Sequence, residues 1–199
     1  MSHLDSSTQQ DWSQSVYGHH TEDMPDDMPT PLGKKVTLIH WFDANLMYDV
    51  LSGKAVTGCI HFANKTPMMW YSKKQSTTET ATYGAEFCVG RTCIEQVVDL
   101  RNTFRYLGVP IHDISYAFGD NESMVNSSNF PYARLHKRHN ILSYHYVRSM
   151  IARGFISLNH FASKSNLADI VTKHWGYSSA YPLIRPVLHH MGDTGMLCD

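Results

Sequence analysis

The sequence predicts an α/β fold, a mixed β-sheet flanked by helices. Three observations carry that prediction: three closely spaced alternating runs between residues 35 and 73, one long amphipathic stretch from about 77 to 107, and short strand and helix patterns that alternate after it. At 199 residues, with 42% hydrophobic residues, the chain can bury one substantial core with tails on either side.

The first run has Val36, Leu38, His40 and Phe42 on one face and Thr37, Ile39, Trp41 and Asp43 on the other. Apolar groups on both faces predict a strand of about nine residues in the middle of the sheet, ending at Asp43. A carboxylate there is costly unless solvent, a cation or hydrogen bonds meet it. Ser52-Gly53-Lys54 turns the chain into a second strand, Ala55–Ala63, and Asn64 to Pro67 into a third, Met68–Lys73. Together they predict an antiparallel meander.

Thr77 or Thr78 with Glu79 opens the long helix, and Gly108 and Pro110 close it. Its stripe of Tyr83, Phe87, Gly90, Ile94, Val97 and Phe104, with Leu107 one turn on, keeps one face on the sheet. Glu86 falls at the margin of that stripe, and Glu79 is expected on the surface. Residues 112–120 predict the fourth strand, with Ile114, Tyr116 and Phe118 on one face and Asp120 at its tip, where Gly119 and Asn121 break the pattern. A short helix or turn, Asn121–Ser128, follows.

Residues 132–153 are the most basic stretch of the chain, a predicted helix carrying Lys137, Arg138, His139, His145 and Arg148. Cations grouped in this way are candidates for phosphate contact. Phe155–Phe161 predicts a fifth strand, Ser165–Thr172 a short helix with Asp169 in its first turns, and Tyr177–His190 a terminal helix. Residues 1–34, rich in Ser, Gln, Asp, His, Met and Pro, read as a flexible linker. Within it, Trp12, Val16 and Tyr17 form a candidate docking segment, and 176–199 is expected to form a C-terminal helix and tail.

Net charge is −1, so any nucleic-acid surface must be a local patch. The four cysteines show no Cys-x-x-Cys spacing, which points to reduced thiols in an intracellular setting, against a zinc knuckle or disulfide frame, with Cys88 and Cys93 as buried small hydrophobes. No apolar run approaches membrane-spanning length, and the polar start predicts no secretory signal. Four carboxylates on one α/β core, Asp43, Glu86, Asp120 and Asp169, suggest a metal site.

Five segments carry a resemblance, in order. They are Tyr71 to Ser76 (Tyr-Ser-Lys-Lys-Gln-Ser), Glu79 to Phe87 (Glu-Thr-Ala-Thr-Tyr-Gly-Ala-Glu-Phe), Phe118 to Asn121 (Phe-Gly-Asp-Asn), Lys137 to His139 with Ser143 to His145, and Asn166 to Lys173 (Asn-Leu-Ala-Asp-Ile-Val-Thr-Lys). Over about residues 35–175 the chain resembles the ribonuclease H domain of copia-type retrotransposon polyproteins. The resemblance implies a ribonuclease H-like fold with a five-stranded mixed sheet. It also implies that Asp43, Glu86, Asp120 and Asp169 are acidic metal ligands of a hybrid-specific nuclease, which hydrolyses the RNA strand of an RNA–DNA hybrid during reverse transcription.

Hard oxygen ligands of this kind suit two Mg²⁺ ions, with Mn²⁺ as substitute. In that scheme Asp43 and Asp120 lie nearest both ions, Glu86 on the leaving-group side and Asp169 on the nucleophile side. The four carboxyl groups are therefore expected to converge within about 4–8 Å of a common point. Lys73, Lys74, Gln75, Asn121, Lys137, Arg138, His139, His145 and Arg148 are the candidate hybrid contacts. The partners implied are the hybrid and a reverse transcriptase domain of the same polyprotein, in a cytoplasmic particle or the nucleus. The alternative is a catalytically silent or host-adopted hybrid- or protein-binding module of the same fold.

Overall fold

Three strands in succession pair as a meander, and two later strands add to its far side. The computed structural model describes residues 16–17, 24, 26–49, 51–79, 81–130, 133, 135, 140–185 and 187, leaving aside the side chains at 47 and 49. The strands are β1 (Leu38–Asp49), β2 (Lys54–Ala63), β3 (Thr66–Lys74), β4 (Ser115–Gly119) and β5 (Ile156–His160), in the sheet order β3-β2-β1-β4-β5. Antiparallel pairing joins β1 to β2 and β2 to β3, whereas β4 runs parallel to both β1 and β5. The hairpin between β2 and β3 turns on Asn64, which adopts φ 56°; asparagine is among the few residues that tolerate that conformation.

The helices are α1 (Thr82–Tyr106), α2 (Glu122–Asn129), α3 (Ile141–Ala152), α4 (Asp169–Thr172) and α5 (Tyr177–Ile184). The long α1 packs on β1 and β2 and carries α2 and α3 against it, while α4 touches β1, β2 and β3. Successive residues of a strand point to opposite faces. Thus Gly58 of β2 turns its bare face to Thr172, Val171 and Ala168 around α4, and Cys59 joins the core beneath α1. That core holds Phe42, Phe87, Val89, Ile94, Val97, Ala117, Met124, Val147 and Leu158.

Several elements differ from the sequence expectation for physical reasons. β1 does not end at Asp43 but continues to Asp49, because β2 pairs with it as far as Asn45 and again at Asp49, with an irregularity between. Asp43 therefore lies inside a central strand. On β4 the buried face is Ser115, Ala117 and Gly119, not that of Ile114, Tyr116 and Phe118. Small residues are needed there, since a Cβ at Gly119 would stand 2.5 Å from the Phe42 ring.

Helix α1 starts at Thr82, later than the Thr77 to Glu79 signal, and Leu107 is 71% exposed. Glu79 is buried rather than on the surface: it accepts hydrogen bonds from Asn140 Nδ2 at 3.4 Å and Cys88 Sγ at 3.7 Å. Cys88 is only partly buried, unlike Cys93. α5 ends at Ile184, short of His190, which lies outside the described residues. Contacts with the domain begin before residue 35, through the Leu32 amide to the Gly108 carbonyl at 2.9 Å. Of the proposed docking segment, Tyr17 hydrogen-bonds the His145 ring at 3.0 Å, while Trp12 lies outside the described residues.

Candidate active site

Strand register brings the acids together. β1 and β4 run parallel with Trp41 opposite Phe118, so the residues two further on, Asp43 and Asp120, fall side by side at the same end of the sheet. Asp169 opens α4, which docks on the bare face of Gly58, the residue paired with Asp43 on β2. One carboxylate oxygen from each of Asp43, Asp120 and Asp169 lies within 4.8 Å of the other two.

Glu86, in the second turn of α1, lies outside that 4.8 Å group but interacts electrostatically with Asp43 and Asp120. Its Oε1 accepts the Ala44 amide at 3.2 Å, and its Oε2 is buried without a partner. Asp43 and Glu86 are 2% and 3% exposed. The sequence stripe put Glu86 at a margin; the approach of α1 to β1 covers it completely.

Two neighbours were not singled out from sequence. Thr172 donates a hydrogen bond from Oγ1 to Asp43 Oδ2, and Lys173 Nζ lies 2.6 Å from Asp169 Oδ1 and 4.0 Å from Asp43 Oδ2. Both belong to the Asn166 to Lys173 segment. Their signal was the helical spacing, since a lysine four residues after Asp169 returns to the same side. Asn166 fixes the segment by donating to the Phe42 carbonyl at 3.0 Å, one residue from Asp43.

The electrostatics follow from burial. Desolvation raises the Asp43 carboxyl to about 6, with the charges of Asp169 and Asp120 adding to it and the Thr172 hydrogen bond and Lys173 opposing. Burial, then Asp43 and Asp120, also pushes Glu86 well above the carboxylate range. Burial disfavours the Lys173 ammonium, but its hydrogen bond to Asp169 and the surrounding carboxylates outweigh that, and its pKa is raised. The cluster thus has too much negative charge for its surroundings, and a lysine meets part of it.

A sign for pH dependence results. A carboxyl whose folded pKa is raised binds its proton more tightly when folded, so stability falls as pH rises from the unfolded value to the folded one. Between pH 4 and 6, Asp43 alone should cost the metal-free protein about 2 kcal/mol. Urea unfolding of wild type against Asp43→Asn should show that difference opening across this window; parallel curves would exclude it.

Of the candidate nucleic-acid contacts, Lys73 and Lys74 are exposed at the end of β3. They line two concavities, one with Ser76, Arg91 and Ser143, the other with Thr172 and Lys173 beside the acids. His145 is exposed on α3. Asn121 caps α2 by accepting the Met124 amide at 3.0 Å.

Gln75 and Arg148, expected at the surface, are buried. Gln75 Nε2 donates to Thr57 Oγ1 and the Ala85 carbonyl, and Arg148 Nη1 donates to the Ser127 and Phe130 carbonyls at 2.6 and 2.7 Å. Both tie backbone segments together, and Gln75 also lines the first of these concavities. Lys137, Arg138 and His139 lie outside the described residues.

The donor set fits divalent cations of the hard, oxygen-seeking kind: three convergent carboxylates, a fourth with an unused buried oxygen, and no sulfur or imidazole among them. Among the described residues no helix is long and apolar enough to cross a membrane.

Comparison with known proteins agrees with this reading of the fold. No family model matches the chain. It is 23% identical over 142 residues to the retrovirus-related Pol polyprotein from transposon TNT 1-94 of Nicotiana tabacum, covering 71% of this chain and 10% of the relative. The corresponding polyprotein from transposon RE2 of Arabidopsis thaliana is 23% identical over 141 residues with the same coverage. The chain therefore spans about a tenth of the length of the curated relatives it matches.

Among solved structures, the N-terminal RNase H domain of a Mycobacterium tuberculosis protein superimposes with a TM-score of 0.53 at 12% identity, over 77% of this chain and all of that one. RNase H1 from Halobacterium salinarum gives 0.50 at 14% identity, over 75% and 98%. The sheet order and these likenesses agree on a ribonuclease H-like fold, and in sequence the chain is similar to one segment of copia-type retrotransposon Pol polyproteins.

Proposed function

We propose that this chain is an endonuclease that hydrolyses the RNA strand of RNA–DNA hybrids, with Asp43, Glu86, Asp120 and Asp169 as the ligands of two Mg²⁺ ions. The observation that carries the proposal is the meeting of three carboxylates from β1, the end of β4 and the start of α4 within 4.8 Å, next to a buried glutamate with one oxygen unpartnered. Bound there, Mg²⁺ supplies the charge neutralisation and Lewis acidity that in-line phosphodiester hydrolysis needs.

The residues of the chain do the rest. Thr172 orients Asp43 by donating to Oδ2, and the Ala44 amide fixes Glu86 so that Oε2 stays available. Lys173 holds the negative cluster together without metal and yields its place to a more highly charged ligand. Lys73 and Lys74 border the concavity that reaches Thr172 and Lys173, where they meet a phosphate backbone next to the acids.

Cleavage leaves 5′-phosphate and 3′-hydroxyl ends, and 2′-hydroxyl contacts in the minor groove tell RNA from DNA. In this reading the domain comprises residues 35–175. It acts inside the cell, beside a reverse transcriptase domain of one polyprotein. The silent-module reading has one observation in its favour: Lys173 already occupies the acidic cluster as a cation.

A panel of labelled duplexes tests the substrate. With Mg²⁺ the hybrid should be cut in its RNA strand, while duplex RNA and duplex DNA remain intact. Cleavage of duplex DNA would contradict the proposal.

A further inference from the structure

Away from the acids, beneath α1, the core contains a second group of metal-ligating side chains. Cys59 and His61 alternate on β2 and so project from the same face, and Cys93 of α1 stands over them. One ligand atom from each lies within 4.8 Å of the others, and all three residues are fully buried. His40, paired with His61 across β1 and β2, brings its Nδ1 to 2.8 Å from His61 Nδ1. His61 Nε2 is 2.9 Å from Gln96 Oε1, one turn along α1 from Cys93.

An ordinary core would fill these positions with aliphatic side chains. Two buried imidazoles and two thiols cost desolvation, and His40 Nε2 is left with no partner at all. The hydrogen bonds also fix a tautomer. Gln96 Oε1 can only accept, so His61 carries its proton on Nε2 and presents a lone pair at Nδ1. An outer N–H held by an amide oxygen is the arrangement found for a ligating histidine; the free Nδ1 of His61 here accepts the Nδ1–H of His40, with one ligand atom each of Cys59, Cys93 and His61 within 4.8 Å of the others.

We propose that Cys59, Cys93 and His61 form a structural binding site for Zn²⁺ or a similar thiolate-seeking cation, with His40 as the fourth ligand. Tetrahedral zinc places its sulfur and nitrogen ligands about 3.5–4 Å apart, so side-chain rotation of about 1 Å closes the group. Charge favours the exchange in a dry interior. Two thiol protons leave as the dication enters, the Zn²⁺ and two thiolates sum to zero, and no net charge is buried. The bound ion would pin α1 to β2 two turns from Glu86, on the helix that carries that ligand. The site is chemically distinct from the acidic one, because soft sulfur donors select against Mg²⁺.

The test uses the full chain carrying Asp43→Asn and Asp169→Asn, reduced and titrated with Co²⁺ and then Zn²⁺. One equivalent of Co²⁺ should give a thiolate-to-metal charge-transfer band with the visible bands of a tetrahedral site, and Zn²⁺ should erase both. Cys93→Ala should abolish the signal and Cys88→Ala should keep it. X-ray absorption of the zinc-loaded chain with all its cysteines in place, which does not depend on a core variant folding, should show two sulfur neighbours. No charge-transfer band, a band surviving Cys93→Ala, a zinc shell of oxygen and nitrogen alone, or a Cys59–Cys93 disulfide in the reduced preparation would each overturn the site.

Discussion

Asp120→Asn should lower hybrid cleavage by about a thousandfold or more, the scale of losing over 4 kcal/mol of transition-state stabilisation. The same substitution should leave the metal-free protein folded and slightly more stable. Two carboxylates less than 5 Å apart repel by about 3 kcal/mol at an effective dielectric of 20, and less where one is partly solvated, as Asp120 is. Removing one charge relieves Asp43 and Glu86, both of which Asp120 pushes upward. The melting temperature should therefore rise by a few degrees while activity vanishes. That opposite movement separates a ligand from a residue whose loss merely unfolds the site. A variant retaining a tenth of wild-type activity would remove Asp120 from the catalytic set.

Gly58→Ala should be the most damaging substitution outside the acids. A Cβ there would stand 2.2 Å from Thr172 Cγ2, 2.9 Å from Val171 Cγ2 and 3.2 Å from the Ala168 carbonyl oxygen. The neighbours cannot absorb all three contacts, because the Ala168 oxygen is backbone and Thr172 is held on Asp43. α4 must then lift from the sheet, taking Thr172, Lys173 and Asp169 with it. Overpacking of this kind costs about 1–3 kcal/mol, and cleavage should fall at least about a hundredfold through misplacement of Asp169. Denaturant unfolding with a cleavage assay on the folded fraction checks both. Wild-type activity in that fraction would show that α4 need not seat on Gly58.

Local pattern revealed much of this arrangement. Alternation in the segments around Ile39, Cys59 and Tyr71 marked the meander, and the three- and four-residue spacing from Tyr83 to Val97 marked α1. What escaped was set by long-range packing. The core side of β4 meets the Phe42 ring of β1, so its smallest residues face inward and the larger Tyr116 and Phe118 lie on the other face, against the usual hydrophobic reading. Glu79 reads as a helix-opening acid, but Asn140, sixty-one residues away, gives it a buried partner.

Gln75 and Arg148 look like surface polar groups, yet each is buried and donates to backbone carbonyls of other segments, Gln75 to Ala85 and Arg148 to Ser127 and Phe130. The acids were legible as candidates from their places in the strand and helix patterns, and the motif order added an expected role for Glu86, Asp120 and Asp169. Their convergence depends on the β1 to β4 register and the seat of α4. Cys59, His61 and Cys93 lack any recognisable spacing, because they meet across a strand and a helix.

Calorimetric titration of the metal-free chain with Mg²⁺ bears most directly on the acidic centre. The account predicts saturable binding that is lost in Asp120→Asn and weakened by added Mn²⁺, which competes for the same oxygens. A chain that takes up no Mg²⁺, its carboxylates satisfied by Lys173 alone, would contradict it and leave the silent module as the correct reading.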